Sequence, residues 1–177
     1  MGCLMTDLGR LNFLIVDKNK HMQEIVETIL RAFGARKIAK TDCAKETLKY
    51  ILDNTVDIVI CDFMYGSMDV LDLTKVVRKQ KDLSKRYLAI TLLTSDTTPR
   101  RIAAARDAGI TAVACKPVSA KELFRRLTAI VDFPKDFVES ESYVGPDRRR
   151  KTVAPYDGVE RRVQVNRERV PSSQVTR

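Results

Sequence analysis

Four polar residues stand at the ends of apolar runs, and their types suit one chemistry. Asp17 follows FLIV, Asp62 follows DIVIC, Thr94 closes YLAITLLT and Lys116 follows TAVAC. A carboxylate can accept a phosphoryl group covalently as an acyl phosphate, and a second carboxylate helps to hold a hydrated divalent cation. A hydroxyl and an ammonium bind phosphoryl oxygens. Each residue alone is an ordinary loop residue. In order along one chain, the four make a candidate phosphoryl-transfer site.

Lys18, directly after Asp17, disturbs this set. Two arrangements are open to it. It can swing to solvent and leave the acids to a weakened cation site. It can also point inward and substitute for the cation, which would favour ionised Asp62 while repelling the metal that phosphoryl transfer needs.

For strand-end residues to converge, the strands must be parallel, because ligand sites of open parallel sheets lie off the carboxyl ends of the strands. The periodicity meets that demand. Short β-rich apolar runs alternate five times with amphipathic stretches, which predicts an α/β domain. FLIV (13–16) precedes a helix with Met22, Ile25, Val26, Ile29, Leu30 and Phe33 at helical spacing, stopped by Gly34. RKIAK (36–40) is polar enough for a sheet edge, and Asp42 is placed to cap the helix after it. DIVIC (57–61) is apolar on both faces, as a central strand should be. A third helix at 69–80 turns Val70, Leu73, Val76 and Val77 inward. A fourth, 97–109, has Thr98 to cap it, Pro99 at its first position and Gly109 as its stop. Ser119 and Glu122 form the capping box of the fifth, and the globular domain is expected to end near Asp132.

The bulk properties exclude several classes. No apolar run approaches the roughly 20 residues needed to span a bilayer, and the N-terminus has no secretory apolar core, so the expectation is a cytoplasmic protein with no membrane span. Four cysteines without CxxC spacing, and a single histidine, His21, read as an exposed helix residue, argue against metal–thiolate or disulfide chemistry. Cys61 and Cys115 read as small buried residues. The net charge of +9 is spread: residues 1–132 carry 22 Lys/Arg against 16 Asp/Glu, and 133–177 carry 10 against 7. Nucleic-acid binding through Arg100, Arg101, Arg106, Arg125, Arg126 and the tail arginines is disfavoured, because no DNA-reading motif follows the domain.

From Phe133 the pattern changes to a chain rich in Pro, Ser, Arg and Glu, read as a flexible basic tail over 133–177. Within it YVGPDRR (143–149) and YDGVERR (156–162) share Tyr-x-Gly-x-acid-Arg-Arg, thirteen residues apart. Two copies of a short linear motif permit avidity for a partner.

With FLIVD, DIVICD, LLTS and CKP ending strands one, three, four and five, the chain resembles the CheY-like receiver domain of two-component response regulators over about 11–132. The resemblance implies a doubly wound, flavodoxin-like parallel sheet of order 2-1-3-4-5. It implies that Asp62 is the phosphoacceptor, Thr94 the switch hydroxyl and Lys116 the phosphate-binding lysine, with Pro117 after a cis peptide bond. It also implies a Mg2+ site built from Asp17, Asp62 and the backbone carbonyl of Met64. Three departures stand out. Lys18 replaces a metal-ligand acid, so Mg2+ binding is expected to be weakened or absent. Tyr65-Gly66 replaces a rigid Met-Pro, and Val113 stands where an aromatic is usual. The expected function is that of a response regulator receiver in a phosphorelay, signalling through protein contacts rather than acting as an enzyme. The alternative is a phosphorylation-independent pseudo-receiver that serves as a binding module. The implied partners are a histidine kinase or phosphotransfer protein, and a downstream protein reached through helix four, strand five, helix five or the tail.

Overall fold

The computed structural model describes residues 7–62, 69–140 and 143–147. Five strands, β1 (Asn12–Val16), β2 (Lys37–Thr41), β3 (Ile58–Asp62), β4 (Ala89–Thr94) and β5 (Ala112–Cys115), form a parallel sheet in the order β2-β1-β3-β4-β5. They alternate with α1 (Lys20–Ala32), α2 (Ala44–Asp53), α3 (Val70–Arg78), α4 (Leu83–Arg86), α5 (Pro99–Ala108) and α6 (Ala120–Asp132). The single turn α4 has no counterpart in the sequence reading, because four residues are too few to show a helical period.

Side-chain alternation along the strands splits the core into two layers. Leu14, Val16, Val59, Ile90 and Leu92 pack with residues of α2, α3 and α5. Phe13, Ile15, Ile58, Ile60 and Leu93 pack with Val26 and Leu30 of α1 and Leu123 and Leu127 of α6. Both faces are therefore covered, as the two-sided apolar strands require.

The helix ends follow the local chemistry with some substitutions. Asn19 opens α1 by accepting from the main-chain N–H groups of His21 and Met22, and His21 lies exposed. Gly109 closes α5 in the left-handed region at φ 94°, where a side chain would be strained. Asp42 does not cap α2: Cys43 holds that position without a side-chain bond, and Asp42 instead pairs with Lys20 at 2.9 Å. Thr98 is the N-cap residue of α5 but likewise makes no capping bond. Ser119 accepts from Glu122 N, yet the Glu122 carboxylate grips Arg125 and Arg126, so only half of the capping box forms. Those two arginines hold the Glu122 carboxyl down at about 2. Cys61 is buried in central β3 as expected, whereas Cys115, at the end of edge strand β5, is exposed.

α6 ends at Asp132, where the globular domain is expected to end. Beyond α6 the chain forms an antiparallel hairpin, β6 (Phe137–Ser140) and β7 (Tyr143–Pro146), which packs on the domain. What holds it is Arg78, at the end of α3, which no sequence pattern singles out and which is 2% exposed. Its guanidinium donates to Gly109 O, Arg86 O and Leu88 O at 2.7–3.2 Å. Phe137 covers it at 5.0 Å and meets the Tyr87 ring edge-on. Glu139 lies 2.7 Å from Arg86 Nε and accepts from the Tyr87 hydroxyl. Residues 148–177, with the second copy of the motif, lie outside the described residues.

Candidate functional site

The strand order reverses at β1, whose neighbours are β2 and β3, and in such sheets ligands bind off the carboxyl ends of the strands that flank the reversal. Register then determines what meets there. Val16 pairs with Cys61, so the next residues on each strand, Asp17 and Asp62, emerge side by side. Thr94 pairs with Cys115, which brings Lys116 to the same rim one step later. The Lys116–Pro117 peptide bond is cis. Asp17 continues the alternation Phe13, Ile15; Asp62 continues Ile58, Ile60; Lys116 follows Ala114 in the same phase. All three lie on the α1/α6 side, and they join. Lys116 Nζ sits 3.0 Å from Asp17 Oδ2 and 2.9 Å from Asp62 Oδ2.

Asp17 is 7% exposed and braced on every side. Its second carboxylate oxygen accepts from Asn19 N at 2.8 Å. Its carbonyl accepts from the buried Gln23, whose amide also donates to Thr41 O and so ties the end of β1 to the end of β2. Gln23 escaped the sequence reading because it interrupts the apolar face of α1, where a polar residue looks like an ordinary boundary position. Burial works against the charge of Lys116, but hydrogen bonds from its ammonium to Asp62 and Asp17, and their attraction, outweigh it and raise its pKa above the usual lysine range. Each contact carries on the order of 5 kcal/mol of gross attraction at an effective dielectric of about 20, much of it offset by desolvation.

Thr94 continues Ile90 and Leu92, the opposite phase, and is 1% exposed. Its hydroxyl is engaged within its own loop, accepting from Asp96 N at 3.0 Å and donating to Asp96 O at 3.3 Å. The Asp96 carboxylate in turn accepts from Thr98 N and pairs with Arg101 on α5 at 3.4 Å. Thr94 is thereby tied to the first turn of α5.

Lys18 is exposed. The Asp42 carboxyl is held below its usual range chiefly by its hydrogen bond from Lys20, with the charge of Lys18 the smallest contribution. Of the two arrangements open to Lys18, the structure has the outward one. Val113, in the place of an aromatic, is half-buried on β5. Met64, the expected backbone donor, and Tyr65-Gly66 lie outside the described residues.

The donor set fits a hydrated magnesium ion. Asp17 and Asp62 address the same ammonium, so both carboxylates face one point, and Mg2+ is commonly held by one or two carboxylates with several waters. Among the described residues no third acid, cysteine or histidine joins them.

The sequence profile of the response regulator receiver domain matches residues 13–128. The chain belongs to that family. It is 27% identical over 122 residues to chemotaxis protein CheY-3 of Vibrio cholerae, a match covering 69% of this chain and 92% of that one. It is 28% identical over 117 residues to the sensory/regulatory protein RpfC of Xanthomonas campestris, covering 66% of this chain but only 16% of RpfC. Among solved structures, a response regulator from Chloroflexus aurantiacus superposes with a TM-score of 0.63 at 31% identity, over 68% of this chain and 96% of that one. Among the described residues, no helix is long and apolar enough to cross a membrane.

Proposed function

We propose that the chain is a phosphorylatable receiver in a cytoplasmic two-component relay, with Asp62 as the acceptor. The observation that carries this reading is the single ammonium of Lys116 held between Asp17 and Asp62 on the rim of the sheet. A carboxylate oxygen of Asp62 attacks the phosphorus of a phosphohistidine on a histidine kinase or phosphotransfer protein. The P–O bond of an acyl phosphate forms as the P–N bond breaks, and the imidazole leaves with the bonding pair. Lys116 then exchanges one carboxylate oxygen for a phosphoryl oxygen, which its long stem allows. A divalent cation held by Asp17 and Asp62, with the Met64 carbonyl as third donor, would neutralise phosphoryl charge.

Thr94 supplies the readout. For its hydroxyl to reach a phosphoryl oxygen it must release the Asp96 main chain, and Asp96 holds the start of α5 through Thr98 and Arg101. Phosphorylation thus competes with the anchor of α5, and a downstream protein would read the altered α5, β5 and α6 face.

The exposed position of Lys18 favours this reading over the pseudo-receiver, whose main support was an inward ammonium. Mg2+ binding is weakened by the missing acid rather than by a competing charge. Lys18→Ala should therefore change Mg2+ affinity by less than about threefold, since an exposed charge is well screened, whereas Lys18→Asp should raise it by about tenfold or more. A tenfold gain with Lys18→Ala would place the ammonium inside the site. The direct test treats the protein with a small-molecule phosphodonor and Mg2+. One hydroxylamine-sensitive phosphate is expected, absent in Asp62→Asn; labelling that survives this change would remove Asp62 as the acceptor.

A further inference from the structure

The first copy of the duplicated Tyr-x-Gly-x-acid-Arg-Arg segment packs on Gly109, away from the rim that carries Asp62, and it shows what each residue type is for. Tyr143 folds back across the glycine that follows it, and its hydroxyl donates to Pro146 O at 2.9 Å. A Cβ on Gly145 would stand 2.5 Å from that hydroxyl and 2.8 Å from Gly109 Cα. A Cβ on Gly109 would meet Val144 O at 2.6 Å. Two bare backbones therefore touch, β7 against the C-terminus of α5, with the tyrosine ring sealing one side. Pro146 is buried, Val144 keeps a half-exposed side chain, and Asp147 N closes the hairpin on Asp136 O at 2.7 Å.

The second copy meets each of these demands. Tyr156 and Gly158 repeat the ring and the bare backbone, apolar Val159 stands for buried Pro146, and Asp157 falls where only a main-chain oxygen and a half-exposed side chain are needed. Each chain has two such segments and, among the described residues, one seat. We propose that the seat formed by Gly109, the Arg78 end of α3 and strand β6 is shared, the second copy, Tyr156–Glu160, docking there in exchange for Tyr143–Asp147 of the same chain.

Chain connectivity sets the balance. The first copy is joined to β6 by two residues, 141–142, and the second by fifteen, 141–155. Loop closure weakens with roughly the 3/2 power of length, which favours the first copy by about twentyfold. The second copy is thus the minority occupant, and it takes over when the first is blocked. A second molecule would have to displace a tethered segment, so exchange within the chain is the favoured form.

The test uses the full chain and is independent of whether Asp62 is phosphorylated. Gly145→Val forces the clash with Gly109 and unseats the first copy; Gly158→Val does the same to the second. Thermal unfolding should be unchanged by Gly158→Val alone, lowered by Gly145→Val, and lowered by about a further 5 °C when the two are combined. With fluorotyrosine labelling, the Tyr156 resonance, assigned by Tyr156→Phe, should shift only in the Gly145→Val protein. Should that protein fail to fold, Gly145→Ala adds just the clashing carbon and serves in its place. If Gly158→Val has no effect in the blocked background, the second copy does not use the seat. If the effect grows with protein concentration, the occupant is a second molecule and exchange within one chain is wrong.

Discussion

A half-buried cation and a fully buried one sit at opposite ends of the same sheet, and they are held by opposite means. At the carboxyl ends of the strands Lys116 bridges two carboxylates. At the amino ends Arg78 has neutral carbonyls and an aromatic ring around it. An ammonium is a point charge on a flexible stem, so its partners can be exchanged one oxygen at a time. A guanidinium is a rigid fork whose donors are matched here to carbonyls of three separate residues, and it cannot let go of one without orphaning another. Burial draws the pKa of Arg78 down to about 9, still cationic at neutral pH. The first arrangement suits a site whose ligand comes and goes. The second suits a clamp that joins α3, the start of β4, the end of α5 and the hairpin.

The sharpest way to break this contrast is to remove each cation in turn. Arg78→Ala should cost about 4 kcal/mol in urea unfolding, because it leaves the carbonyls of Gly109, Arg86 and Leu88 buried without donors and a cavity under Phe137. Arg78→Lys should recover little of this, since a point charge cannot reach all three acceptors. A loss below about 1 kcal/mol for Arg78→Ala would mean that the clamp is not structural. Next in size is truncation after Asp132, which exposes Tyr87, Gly109 and one face of Arg78. Burial of Phe137 and its contact with the guanidinium support an expected loss of about 2 kcal/mol, read by thermal unfolding. An unchanged midpoint would return the hairpin to the status of a loose tail.

Lys116→Met should behave differently. Stability in the presence of Mg2+ should change by no more than about 1 kcal/mol, because the cation can take the place of the ammonium between the two carboxylates. Mg2+ affinity by calorimetry should rise, while phosphodonor labelling of Asp62 slows or its switching is lost. The smallest effect is in the pH dependence. The pKa of Lys116 is raised in the folded state, so the stability it contributes is fully present below its unfolded value of about 10.4 and is lost as pH rises through the higher folded value. A 15Nζ titration should show this resonance titrating above the ordinary lysine value, and moving down in Asp62→Asn. Titration at the ordinary value would show that the two carboxylates do not hold it.

Much of the molecule follows from sequence order alone. Apolar runs with period two, helical faces between them and stops such as Gly34 and Gly109 determine five βα units, because burial of one stripe or face is a local property of the chain. A parallel sheet then forces residues just past the strands onto one rim, which is why Asp17, Asp62 and Lys116 could be singled out before any coordinates. Lys18 could not be oriented in this way, since its long stem reaches solvent or the site from the same backbone position. Arg78 was invisible for a related reason. At the end of a helix an arginine reads as exposed, and only the convergence of Gly109, Arg86 and Leu88 supplies the acceptors that let it be buried. The hairpin depends on that same convergence. Four-residue strands of mixed polarity carry no periodicity to read, and what orders them is a surface assembled from α3, α4 and α5. Local patterning therefore decided the five βα units and the rim on which Asp17, Asp62 and Lys116 meet, while the tertiary structure decided the outward Lys18, the buried Arg78 and the hairpin, because burial and pairing belong to surfaces made from distant parts of the chain.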